Sequence, residues 1–246
     1  MNTDLTTCSA RFHIRRALGV VWVEGQVANN RVHRHHALQI TWAAPDTVAT
    51  IEVEDTSITG ACLVIDGGTP HTLSLDSGII ALLDSTSSLA ARVRANYLEG
   101  TSWASPKTPA WSGEFADAER LLESLAGDEP AEKMDERIRD ILDWLDAMED
   151  EGRWSEVTLE QALRLACLSR GRFLHLFSQE VSSPWRTYLT WRRALVAMAL
   201  VAKGNNLTDA AHASGYADSA HLSRQFSDLF GVTPGAFAKN SHFLQS

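Results

Sequence analysis

The stretch LTDAAHASGYADSAHLSRQFSDLFGVTP, residues 207–234, decides the reading of this chain. Leu207, Ala210 and Ala211 recur at helical spacing, Gly215-Tyr216-Ala217-Asp218 interrupts them, and Leu222, Phe226 and Phe230 line a second helix. Asp218 stands at an N-cap position, where its carboxylate can accept an unpaired first-turn N–H. Gly231 and then Pro234 stop the second helix. The same device occurs upstream in residues 159–177. There Leu159, Ala162, Leu163 and Ala166 form the first helix and Cys167-Leu168-Ser169 the turn. Phe173, Leu176 and Phe177 face inward on the second. Two such helix-turn-helix units point to a protein that lays two helices into DNA.

The segment between the copies, residues 183–203, reads as one helix with Trp185, Leu189, Leu195, Met198, Ala199 and Val201 as its apolar bulk. At 1.5 Å per residue it is roughly 30 Å long. That is close to the roughly 34 Å between successive major-groove faces on one side of B-DNA. A strut of this length can space two recognition helices by one duplex turn. Arg186, Arg192, Arg193 and Lys203 are placed to meet phosphates along it.

From about residue 135 to 240 the chain resembles the DNA-binding domain of the AraC/XylS family of transcriptional regulators. The likeness is carried by both units, by the stretch from Phe177 through Pro184 with Tyr188 and Leu189 after it, and above all by residues 213–234. Ser182 stands where the family usually has glycine, and Gly171 puts a flexible residue at the start of the first recognition helix. The outward positions are Arg170, Gly171, Leu174 and His175 in the first helix and Ser219, Ala220, Ser223 and Arg224 in the second. The resemblance implies that these, with Arg192 and Arg193, carry the base and backbone contacts. Chemically, Arg224 can pair bidentately with guanine, His175 offers a single donor, and Leu174 or Ala220 suits a thymine methyl. For any one of them, a plain solvated helix face is the alternative.

The chain's formal charge of −9 looks wrong for such a role until it is split. Residues 153–246 hold ten Lys and Arg against six Asp and Glu, leaving 12 against 25 in residues 1–152. An acidic front and a mildly basic back suit a sensor joined to a DNA reader, the acidity repelling DNA from the wrong end. At 246 residues the chain is too long for the helical unit alone. No signal-peptide pattern opens it, and its longest apolar run, residues 194–202, is short against the ~20 residues a membrane span needs. Cys8, Cys62 and Cys167 lack pairing or metal-ligand spacing, which fits free thiols in a cytoplasmic protein with no membrane partner.

The front half reads as short strands punctuated by Gly, Asn, Asp and Pro: residues 20–23, 38–42, 48–53, 61–65, 79–83 and 91–94. Within it, His33, His35 and Gln39 share strand parity. Gly60, Asp66, Gly68 and His71 then fall at the spacing of a second cupin signature. This half therefore resembles the cupin barrel in part, with Gln39 for the usual glutamate, Asp66 for proline and Leu75 for asparagine. Three imidazoles and an amide oxygen form a plausible site for a first-row divalent ion. The alternatives are a metal-free pocket for an organic effector, with Trp22 and Trp42 as walls, or no pocket function. Loss of the glutamate's charge favours the metal-free pocket, so the expectation is no metal and no cofactor. Arg34 and His36 have the opposite parity and are expected to face out.

Ser105-Pro106-Lys107-Thr108-Pro109 marks a boundary. Beyond it, residues 114–125 read as a helix with a Phe115, Ala118, Leu121, Leu122, Leu125 stripe that either joins two copies or packs on the barrel. A second helix, 134–148, opens the DNA-binding part. The expected fold is thus α+β and multidomain: a cupin-like β-barrel sensor (1–105), a linker with a dimerisation helix as one option (106–131) and an all-α double helix-turn-helix domain (132–246). The expected function is a non-enzymatic regulator of transcription. Its partners would be double-stranded promoter DNA and a small-molecule effector, with RNA polymerase and a second copy as further candidates. The alternative is a metal-dependent cupin enzyme fused to a DNA-binding domain.

Overall fold

Short runs of Val, Ile, Leu and Thr fold as strands because branched side chains suit a pleated surface. The computed structural model describes residues 9–15, 20–27, 30–127, 134–181, 183–236 and 241–243. Its strands are β1 (Ser9–Arg15), β2 (Val20–Val27), β3 (Leu38–Ala43), β4 (Ala49–Val53), β5 (Thr56–Gly60), β6 (Cys62–Ile65), β7 (Thr72–Leu83), β8 (Trp103–Ala104) and β9 (Ser241–Phe243). They form one sheet in the order β8-β6-β3-β7-β2-β1-β9, with β4 on β7 and β5 on β4. Every pairing is antiparallel except β9 on β1. The result is an antiparallel half-barrel. β7 holds it together: its first residues pair with β4, and Ile79 to Leu83 pair with β2 on one side and β3 on the other. Gly78 lies between these stretches, where a Cβ would sit 2.2 Å from the Trp42 carbonyl oxygen. Only glycine lets the strands approach that closely.

Register separates the two faces of the sheet. Trp22 pairs with Ala81 and Ala81 with Ile40, so these side chains share a face with Trp42, Leu38 and Leu83. Against that face pack α1 (Ser88–Tyr97) and α2 (Phe115–Ala126), through Leu89, Val93, Ala118, Leu121, Leu122 and Leu125. Gln39, its register partners Leu82 and Ile65, and Val21 lie on the other face.

Two expectations are corrected here. Residues 91–94 are not a strand but the middle of α1. Ser87 caps that helix by accepting from the Ala90 N–H, and leucine, alanine and arginine outweigh its single β-branched residue. The stripe on α2 is likewise not left over for a second copy. Leu121, Leu122 and Leu125 are 6%, 2% and 1% exposed, consumed by packing within the same chain.

The chain divides into two units, residues 1–131 with 226–246, and residues 132–225. The helical part holds α3 (Glu136–Asp150), α4 (Leu159–Ala166), α5 (Arg170–Val181), α6 (Trp185–Ala202), α7 (Leu207–Ala213) and α8 (Ser219–Phe230), with the division falling inside α8. The cap signals act locally. Thr158 and Gln161 form a reciprocal capping box, Asn206 caps α7, and the Asp218 carboxylate accepts from the His221 N–H. In the core under α5, Trp185 meets Phe173 and Phe177 edge-on and Tyr188 meets Phe177 edge-on, at 4.9–5.5 Å, while Phe173 and Phe177 are tilted at 5.7 Å. No helix among the described residues is long and apolar enough to cross a membrane.

Candidate nucleic-acid interface and histidine cluster

The two turns set the angle at which each second helix leaves the first. In the first unit Cys167 ends α4 in the left-handed region at φ 50. In the second Gly215 takes φ +79, with the Arg193 Nε 3.5 Å from where a Cβ would stand. Burying Phe173 and Phe177 fully leaves Arg170, Gly171 and His175 exposed on α5. Burying Leu222 and Phe226 leaves Ala220 and Arg224 exposed on α8.

The remaining expected contacts are placed differently. Leu174 is half-buried against the core, so a thymine methyl would meet only its edge. Ser219 and Ser223 are half-buried, and the Ser223 hydroxyl donates to the Ser219 carbonyl at 2.8 Å. Arg193 is half-buried, and its Nε makes no hydrogen bond among the described residues. Arg172, which the sequence reading passed over, is exposed on α5; its position off the Phe173–Phe177 face was the available signal.

Arg192 departs from expectation altogether. It is buried, and its Nη2 donates to Asp146 at 2.6 Å and to Glu149 at 2.8 Å, both on α3. Its Nη1 donates to the Tyr188 hydroxyl, and the guanidinium lies 5.2 Å from the Trp154 ring centroid. This arginine braces α6 against α3 and has no charge to spare for phosphate. Arg192→Ala is expected to cost about 2–3 kcal/mol, less than a fully buried pair because Asp146 is largely exposed. It should leave the slope of DNA affinity against salt unchanged. Denaturant titration and binding at several salt concentrations check the two halves; a flatter slope would restore the phosphate contact.

In the N-terminal unit Trp22 and Trp42 do not line a pocket with the histidines. They stack at 6.1 Å on the α1–α2 side of the sheet, and Phe115 meets Trp22 edge-on at 5.4 Å. Gln39, an odd-numbered residue on the strand that carries Trp42, points the other way.

His33, His35 and His71 do come together, though residues 30–37 form no regular strand. His33 and His71 face each other in an isolated antiparallel bridge, with N···O distances of 3.0 and 2.9 Å. Their ring centroids lie 4.4 Å apart, and those of His35 are 5.7 Å from His33 and 5.3 Å from His71. One ring nitrogen from each lies within 4.8 Å of the others. The Gln39 Oε1 is 3.1 Å from the His35 Nε2, and its amide nitrogen donates to the Thr41 hydroxyl. Burial is the first cause that keeps all three imidazoles neutral. It takes His33 down to about 4, helped by His71, and lowers His35 and His71 as well. His36, expected outside, is buried with its Nε2 3.9 Å from Asp84. Arg34 is exposed, as its parity implies.

Residues 163–240 match a family described as a helix-turn-helix domain. No curated protein matches the sequence. Among solved structures, ToxT from Vibrio cholerae superposes with a TM-score of 0.53 at 10% identity, covering 90% of this chain and 98% of that one. Wild-type ToxT from strain SCE256, solved with a bound unsaturated fatty acid, gives 0.50 at 12% identity over 85% of this chain and 89% of that one. At such identities the likeness is one of fold: a half-barrel followed by paired helix-turn-helix units. Residues 163–240 thus carry the matched helix-turn-helix domain, and the chain shares the half-barrel and paired helix-turn-helix fold of these structures.

Proposed function

We propose that the chain regulates transcription by laying α5 and α8 into successive major grooves of promoter DNA, under control of a small-molecule effector held by the half-barrel. The observation that carries the DNA half is the exposed face on each second helix: Arg170, Arg172 and His175 on α5, Arg224 beside the methyl group of Ala220 on α8. Both faces sit opposite buried aromatic and leucine side chains. Arg224 reads a base. Removing a bidentate arginine–guanine contact costs about 1–3 kcal/mol. Arg224→Ala is therefore expected to weaken operator binding by roughly 5- to 150-fold and to relax the preference at one base pair. Fluorescence anisotropy with the cognate fragment and single-base variants measures both; unchanged affinity and preference would mean that α8 is not the reading helix.

The effector half rests on the face of the sheet that carries Gln39, opposite α1 and α2. There Gln39 and the three histidines form a neutral polar patch, with Leu82 and Ile65 beside Gln39 in register. Apolar walls with a few directed polar groups suit an organic ligand. The fatty acid in ToxT is that protein's ligand; the shared fold makes an apolar carboxylate the first class to try here. Oleate should raise the melting temperature and shift the affinity for DNA, whereas DNA binding indifferent to any such ligand would leave the half-barrel without a sensing role.

A further inference from the structure

We propose that residues 30–34 of the half-barrel cap the C-terminal end of α8, and that occupancy of the histidine patch reaches the second reading helix through this cap. The last carbonyls of an α-helix have no intrahelical partners. At the end of α8 two carbonyls find partners on the half-barrel. The Arg31 N–H donates to the Gly231 oxygen at 3.4 Å, and the Arg34 N–H donates to the Asp228 oxygen at 3.5 Å. Residues 226–231 accordingly fall in the same compact unit as the sheet. The Arg31 and Arg34 side chains are exposed, and cationic groups here complement the negative pole of the helix.

The fit is backbone against backbone. Gly231 turns the chain at φ +69, and a Cβ there would stand 2.8 Å from the Arg31 carbonyl oxygen and 3.1 Å from the His33 Nδ1. Glycine alone meets both the dihedral and the approach. The carbonyl that Gly231 abuts is also the one that accepts from the His33 ring, at 3.0 Å. His33 in turn is bridged to His71 by two main-chain hydrogen bonds. One step earlier, the Asn30 Oδ1 accepts from the Leu73 N–H at 2.7 Å. The segment is thus pinned to the start of β7 and to the end of α8, and His33 is common to both attachments.

A ligand that displaces the His33 ring therefore moves the Arg31 carbonyl and unseats Gly231. Distances of 3.4 and 3.5 Å are long for N–H···O bonds, so the cap is weak enough for one ligand to open. α8 is a single helix of 12 residues, and Arg224 stands about one turn ahead of Asp228. A tilt imposed at the capped end is delivered to the reading face. The cap fixes α8 before DNA arrives, so a groove that requires another tilt is met only by opening it. Closed, the cap holds operator affinity down. It deepens the effector reading and rests on it only for the role of the patch. Such coupling is reciprocal: if the patch moves α8, DNA on α8 moves the patch.

The test titrates the full chain with operator DNA while the imidazole resonances of His33 and His71 are followed by NMR. Both should shift as DNA binds. Arg31→Pro, which removes one capping N–H, should bind the operator at least threefold more tightly and lose the shifts. Val32→Ser, in the same segment with both N–H groups kept, should match the parent. Without DNA, Gly231→Ala should push the segment away and speed amide exchange at Arg31 and Arg34 at least tenfold. Circular dichroism checks folding, and the two substitutions lie on opposite sides of the contact, so failure of one to fold leaves the other decisive. Equal or weaker operator binding by folded Arg31→Pro, ring signals unmoved by bound DNA, or unchanged exchange in folded Gly231→Ala each overturns the cap. A parent that binds no DNA overturns the regulator reading instead, and the exchange experiment then decides the cap by itself.

Discussion

Leu122→Glu is expected to unfold the N-terminal unit, not to separate two copies of it. The side chain is 2% exposed, in the apolar layer that Trp22, Trp42 and Ile40 form with α1 and α2. Removing its methyl groups from a packed core and burying a carboxylate there costs about 4 kcal/mol or more, a large share of what holds a domain of this size. Intrinsic fluorescence should report early loss of the Trp22–Trp42 environment in a denaturant titration, with aggregation on warming. A variant that melts like the parent but sediments as a monomer where the parent is a dimer would return the α2 stripe to the interface role.

Phe177→Ala should be nearly as costly in the helical unit, about 3–5 kcal/mol. Its ring is fully buried and touches Phe173, Trp185 and Tyr188 at once. Those rings belong to α5 and α6, so the cavity loosens the helix that carries Arg170, Arg172 and His175. Loss of specific DNA binding is expected along with the lowered stability, whereas Phe177→Leu, which keeps most of the volume, should cost less than about 1.5 kcal/mol and retain binding. Unchanged stability in Phe177→Ala would mean that this aromatic cluster does not hold α5 in place.

The helix-turn-helix half was legible in the sequence because its signals are local. Thr158, Asn206 and Asp218 cap the helices they precede, and Gly215 takes the positive φ its turn requires. Arg192 misled because its partners, Asp146 and Glu149, lie on α3 more than forty residues away, and a basic residue on an amphipathic helix looks the same whichever partner it finds. The half-barrel was legible as a set of short strands but not as a register. Opposite parity already separated Gln39 from Trp42 on β3. The face of Trp22 depends on its pairing with Ala81, which no local pattern encodes. The histidines converged for a reason that strand parity did not supply: residues 30–37 are irregular, and backbone carbonyls at Arg31, Ala37 and Thr69 aim the rings.

The position of β7 has a consequence for how the chain is made. This strand is central to the sheet, yet it is the last of β1 to β7 to leave the ribosome, and β2, β3 and β4 all take their main-chain partners from it. Until Leu83 has emerged, Val20 to Val27 and Leu38 to Ala43 have no strand to lie between, and their apolar faces stay wet. Such waiting strands are sites where nascent chains stick to one another. A chain cut anywhere between residues 44 and 78 should therefore be insoluble. One that ends just after α2 carries both the strand its neighbours wait for and the helices that cover them.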